Sequence, residues 1–328
     1  MSTPFAALDA LADAPSEDER RDRRRQMGTL LLAAAVLTSP NASDAFVLGT
    51  PADWAVELRP ARYAFAIWPL LYSGIALFAV FQAQPSQRGS PLLRAVGWPA
   101  AAALAIMALW AAAGCAETLQ RGMPPSYVAK VCRAVVSAAT ATGLVGTLMC
   151  LLRVTVRLGD ALSPFTGKEQ LCVVVPLSLL AGWLVPLATG NTLTAATATL
   201  ALAGIAPPPA RGVAAGFAVA VTGAGATFAS LRARGNPWFA SAAAWGLAAV
   251  AYNNSHRGVR ADELRNPGAP ERPDRAVVFS AGVAAGVLMG ASVVRAAFAP
   301  RRKWGPRRGL VACCDSCFRN IRRSLEDA

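Results

Sequence analysis

Trp68 and Tyr72 stand four residues apart in the apolar run Tyr63-Ala-Phe-Ala-Ile-Trp-Pro-Leu-Leu-Tyr72. On a helix that spacing puts both rings on one face. Trp183 precedes Asn191 by eight residues in a second apolar run, and Trp110 lies well inside a third. Aromatic faces stack on flat apolar molecules, and a few polar groups fix the orientation of what they hold. At membrane depth an indole N–H or an amide has no water and needs a partner. Trp68, Tyr72, Trp110, Trp183 and Asn191 are therefore the candidate lining of a pocket for a planar hydrophobic ligand. The same residues would serve equally well simply to pack helices together.

Other chemistry finds little support. The chain has one histidine, His256, so a haem ligand, a metal triad or a Ser-His-Asp arrangement would each depend on that residue. No nucleophile, base and orienting group converge, which argues against an enzyme. No cofactor is required by any motif. Asp44 is the main ionisable group within the apolar tracts, and a proton relay normally needs more. Cys313, Cys314 and Cys317 form a CCxxC cluster in a basic tail. Three ligands are too few for a closed zinc site, whereas thiols beside a polybasic patch suit acylation.

The elements that must position these residues are set by composition. Of 328 residues 54% are hydrophobic and 16% charged, against about 25% charged in soluble domains. The charges crowd into tails and short connections and leave long uncharged tracts. A bilayer imposes that segregation, because an ion at its centre costs roughly 3 kcal/mol or more. The net charge of +13 flanks apolar tracts and forms no continuous groove, which excludes nucleic acid in favour of a membrane and its lipids.

A crossing helix needs about 20 apolar residues. Eight tracts qualify: Met27–Leu48, Tyr63–Ala83, Ala95–Ala116, Ala134–Leu152, Leu171–Ala195, Gly212–Leu231, Pro237–Tyr252 and Ala276–Val294. Pro40, Asn41 and Asp44 interrupt the first, and the seventh is short enough to be only partly inserted. With the N-terminus inside, 21 Lys and Arg fall on the cytoplasmic side and 11 outside. That favours both termini in the cytoplasm. The expected fold is an all-α multi-pass bundle. Residues 1–26 read as a disordered tail, 27–200 as a five-helix core, 201–298 as three further helices and 299–328 as a basic Cys-containing tail. Gly282, Gly286 and Gly290 recur every four residues, as do Gly212 and Gly216. Small residues at that spacing let helices approach closely, within the chain or, for Gly282, Gly286 and Gly290, across a homodimer.

At its aromatic runs the chain resembles the TspO/MBR family, the tryptophan-rich sensory or translocator proteins. Trp68-Pro-Leu-Leu71-Tyr72 matches the family's W-x-x-L-Y, and Trp183 with Asn191 matches its later W-x7-N. Phe65 stands three residues before Trp68. The resemblance covers roughly residues 27–200. It implies a helical membrane bundle that binds porphyrins, other tetrapyrroles or sterols in an apolar pocket, and roles in tetrapyrrole handling, stress response or lipid transport. A membrane transporter of another class and a non-catalytic assembly protein are the alternatives.

Overall fold

Inside a bilayer every backbone N–H and C=O must be paired within the chain, so long uncharged tracts fold as helices. The computed structural model describes residues 16–38, 58, 60–120, 127–160, 165–205, 211–255 and 275–298, and these are helical apart from short turns. The helices are α1 (Glu17–Leu37), α2 (Trp68–Ala83), α3 (Pro91–Gln120), α4 (Tyr127–Asp160), α5 (Val175–Leu202), α6 (Arg211–Arg232), α7 (Pro237–Ser255) and α8 (Arg275–Phe298). A 3-10 helix, Arg62–Ile67, leads into α2. The short turn Gly167–Glu169 and a π-helical stretch, Gln170–Val174, lead into α5. The chain divides into a unit Met1–Ala297, to which the helices belong, and a segment Phe298–Ala328 that lies almost wholly outside the described residues.

Six helical stretches are long and apolar enough to cross a membrane: Arg62–Ala83, Pro91–Trp110, Lys130–Gly159, Gly167–Leu202, Val213–Arg232 and Arg275–Arg295. They correspond to six of the eight expected tracts. The seventh tract forms α7, which is helical and largely buried but does not meet that measure. The first tract shares only Met27–Leu37 with α1; its second half, with Asn41 and Asp44, lies outside the described residues. His256 and the Cys313, Cys314 and Cys317 cluster lie outside them too.

The helix α5 is the centre. Its most apolar window is 78% buried, against 28% for α4 and 33% for α6 and α8. It packs on α4, α7, α2 and α6. A helix that is apolar all round belongs in the interior. Its prolines are received by bare glycines: a Cβ on Gly74 of α2 would stand 2.9 Å from Pro176 Cβ, and one on Gly246 of α7 would meet the Pro186 ring. Gly182 of α5 lies against the backbone oxygen of Phe239 on α7. With no hydrophobic force between helices in lipid, such close van der Waals contact is what holds them. The turn from α6 into α7 has Gly235 at φ +75°, a conformation that glycine adopts without penalty. Asn236 then caps α7, its Oδ1 accepting from the Trp238 and Phe239 N–H groups at 3.1 and 3.3 Å, while its Nδ2 donates to Ser178 Oγ on α5 at 2.8 Å.

The glycine repeats divide. A Cβ on Gly216 would stand 3.1 Å from the Ala276 backbone of α8, as expected of a packing residue. Gly282, Gly286 and Gly290 meet nothing within 4 Å, so that face of α8 is open within the described chain.

The polar end of α1 corrects the expectation of a disordered tail through residue 26. The helix begins at Glu17, where Ser16 and Glu19 form a reciprocal capping box, which satisfies otherwise orphaned N–H groups. Asp22, Arg25 and Gln26 are buried against α2 and α3. Asp22 Oδ2 accepts from Arg94 Nη2 at 2.6 Å, Arg94 Nε at 2.9 Å and the Gly89 N–H at 3.1 Å. Its Oδ1 lies 3.1 Å from Arg25 Nη1. Gln26 Nε2 donates to the carbonyls of Gln82 and Gln84 at 2.7 and 3.1 Å.

The Arg94 hydrogen bond holds the Asp22 carboxyl below its ordinary value, against the opposing effect of burial and with help from Gly89 and Arg25. A carboxylate depressed in the fold stabilises fully above its unfolded pKa, about 3.9, and that contribution fades as pH falls through the lower folded value. Wild type is therefore expected to unfold at a higher temperature than Asp22→Asn from pH 7 to 5, with the gap closing below about pH 4. Thermal unfolding in detergent across that range checks it; parallel curves would refute the assignment.

Candidate functional site

Four of the five candidate residues converge. Trp68 opens α2, and Tyr72 follows one turn later, its ring stacked on the indole at 5.2 Å and 20°. Trp110, brought by α3, also stacks with Trp68, at 6.3 Å and 18°. Trp183 arrives edge-on from α5, at 6.3 Å and 88° to Trp68. Trp68 is thus the hub of a cluster drawn from three helices. Edge-to-face and offset-stacked pairs are the favoured aromatic geometries. Trp183 is fully buried and Trp68 is 2% exposed. Trp110 is half-buried.

Phe65 is the member that residue spacing did not place in the pocket. Its ring meets Trp183 edge-on at 5.6 Å and 88°. It belongs to the 3-10 turn Arg62–Ile67, where residues three apart eclipse one another. A three-residue spacing to Trp68 is therefore the one that brings both rings to the same side. The preceding Pro60-Ala61 pair and the short run before Pro69 were the only signals of a tighter turn.

Asn191 does not join the rings. Eight residues beyond Trp183 it is about 12 Å further along α5 at 1.5 Å per residue. Its Nδ2 donates to Leu187 O of its own helix at 2.9 Å. A buried amide needs a partner, and the preceding turn supplies one. Trp183 is the reverse case: its buried Nε1–H has no acceptor among the described residues. An unpaired buried donor costs about 1–3 kcal/mol. The expected requirement for a partner is thus met at Asn191 and unmet at Trp183.

Trp238 and Trp245 are partly exposed on α7 and stay apart from the cluster. Trp245 Nε1 donates to Ala64 O at 3.3 Å, and its ring meets Tyr63 edge-on at 5.4 Å. These contacts brace the 3-10 turn that carries Phe65. Among the described residues no group of three or more His, Cys, Asp or Glu is placed to hold a metal ion.

A family model described as TSPO-like protein matches residues 50–294. The match takes in α6, α7 and nearly all of α8, beyond the stretch 27–200 over which the motifs showed the resemblance. No curated protein and no solved structure matches the chain.

Proposed function

The chain belongs to the TSPO-like protein family, and on that premise we propose that its aromatic core binds, and moves or senses, a flat hydrophobic molecule of the tetrapyrrole or sterol type. The family match and six helices of crossing length make it an integral membrane protein. The family is generally non-enzymatic. The charge pattern of the connections supports a topology with both tails in the cytoplasm.

The observation that carries the reading is the Trp68 hub with an unsatisfied Trp183 N–H beside it. A planar ligand replaces ring-on-ring contacts with equivalent ring-on-ligand contacts, so exchanging one for the other costs little. An acceptor on the ligand, such as a carboxylate or carbonyl, satisfies the indole, which a purely structural cluster leaves unpaired. Trp110, the half-buried ring, marks the side from which the stack opens. Asn191, bonded within α5, is kept as a second polar anchor only for a ligand long enough to reach it.

Titrating the purified protein with protoporphyrin IX tests this. Saturable quenching of tryptophan fluorescence is expected at micromolar ligand. Trp183→Phe keeps an aromatic ring and removes the N–H, and is expected to weaken binding about tenfold, the worth of one net hydrogen bond near 1.4 kcal/mol. Wild type without saturable quenching refutes the proposal. Flux into proteoliposomes then separates carriage from sensing.

A further inference from the structure

A second polar feature lies apart from the aromatic core, where α1 crosses α3. A cavity of about 200 Å³ opens there, lined by Asp18, Arg21, Asp22, Arg25, Arg94 and Trp98. A water occupies about 30 Å³ in the liquid, so the space admits an oxyanion of several heavy atoms. Three guanidinium groups face two carboxylates, which leaves the lining net positive.

The donors are unevenly used. Asp22 is saturated by Arg94, Gly89 and one nitrogen of Arg25. Asp18 makes only a loose pair with Arg94, at 3.8 Å. Arg25 is 1% exposed, yet among the described residues its Nε and Nη2 have no hydrogen-bond partner. A guanidinium does not shed its proton in a protein, so this charge is buried with two of its donors idle. Buried unsatisfied groups in native proteins call for an explanation, and an ion is a common one. Thr29 Oγ1 lies one turn further on the same face of α1 and, among the described residues, is also unpartnered, as is Gln82 Oε1 on the facing helix α2. The seam is therefore built polar over more than one residue.

Room for Arg25 is made deliberately. A Cβ on Gly97 would stand 2.6 Å from Arg25 Cδ and 3.1 Å from its Nε. Only a bare α-carbon on α3 lets that side chain lie flat. Gln26 locks the same turn of α1 to α2 through the carbonyls of Gln82 and Gln84. The position is also telling. The crossing stretch Arg62–Ala83 ends beside it and Pro91–Trp110 begins there. Trp98 is 47% exposed at the rim, the usual place of a tryptophan at a membrane–water boundary.

We propose that this cavity is a binding site for a phosphoryl group, with Arg21 at the rim and the buried Arg25 guanidinium behind it, whose idle Nε and Nη2 donors turn to the group as it binds. Arginine suits such a group because its fork of donors matches the phosphate oxygens. At this depth the phosphoryl group is offered either by a phospholipid headgroup or by free phosphate from solution.

Native mass spectrometry of the full chain in neutral detergent tests the site, with dihexanoyl phosphatidic acid and inorganic phosphate as separate probes. One saturable adduct is expected with phosphatidic acid. An adduct with that lipid alone assigns the site to a headgroup, and adducts with both assign it to phosphate chemistry in general. Arg25→Gln is expected to abolish the adduct. Arg21→Gln, at an exposed position that leaves the α1 packing intact, is expected to weaken it about tenfold. Absence of a saturable adduct with either probe overturns the proposal. So does an adduct whose affinity Arg21→Gln leaves unchanged, a result that stands even if Arg25→Gln fails to fold.

Discussion

Gly182→Ala is expected to break the seam between α5 and α7 and to cost at least about 3 kcal/mol, the upper end for overpacking. The added methyl would run into Phe239 O and would stand 2.9 Å from Ala242 Cβ and 3.0 Å from Ala243 N. Two of those three atoms are backbone, and no rotamer change moves them. The obstacle cannot be relieved by tilting α5 alone, because Pro186 and Pro176 are seated on Gly246 and Gly74 on either side. Gly225→Ala on α6 is the control. Nothing lies within 4 Å of its Cβ position, so the helix gains roughly 0.5–1 kcal/mol from losing a glycine. Thermal unfolding in detergent, with recovery of monodisperse protein as a second readout, should move the two variants in opposite directions. Equal behaviour would show that the α5–α7 approach is not close.

Trp183→Ala is expected to be nearly as damaging to stability, by about 3 kcal/mol. Truncating a buried Trp in a soluble core costs about 3–5 kcal/mol, part transfer and part cavity. In a bilayer the transfer part shrinks, because the unfolded reference is itself apolar, so the lower end applies. What remains is lost contact with Phe65 and Trp68, whose edges and faces would line a void. The variant also separates the two roles of the cluster. If the rings only pack, Trp183→Phe should restore stability with no effect on any ligand. If the indole anchors a ligand, Trp183→Phe should restore stability and still bind protoporphyrin IX more weakly than wild type. Measuring unfolding and porphyrin titration on the same three proteins decides between them.

Much of the fold was legible because the bilayer is a demanding solvent. Uncharged tracts near 20 residues can only be helices, and six of them are helical at crossing length, with ends shifted by up to seven residues. Periodicity put Trp68 and Tyr72 on one face, and their rings do stack. The W-x-x-L-Y and W-x7-N matches pointed to the family that residues 50–294 establish. The start of α1 was also written locally, in Ser16 and Glu19, but the run of charges after it reads as a solvated tail. A buried Arg25 becomes plausible only once Gly97 is known to lie opposite.

By itself the sequence determined that this is a helical membrane protein, where most helices run, and which residues share a helix face, since charge, apolar length and helical period are properties of contiguous chain. The tertiary structure alone decided which faces meet. The azimuth of each helix about its axis is set by glycines and prolines on its neighbours, as at Gly182 and Pro186. That is why Trp110 and Trp183 reach Trp68, why Phe65 joins them through a 3-10 turn, why Asn191 stays bonded within α5, and why Gly282, Gly286 and Gly290 face outward.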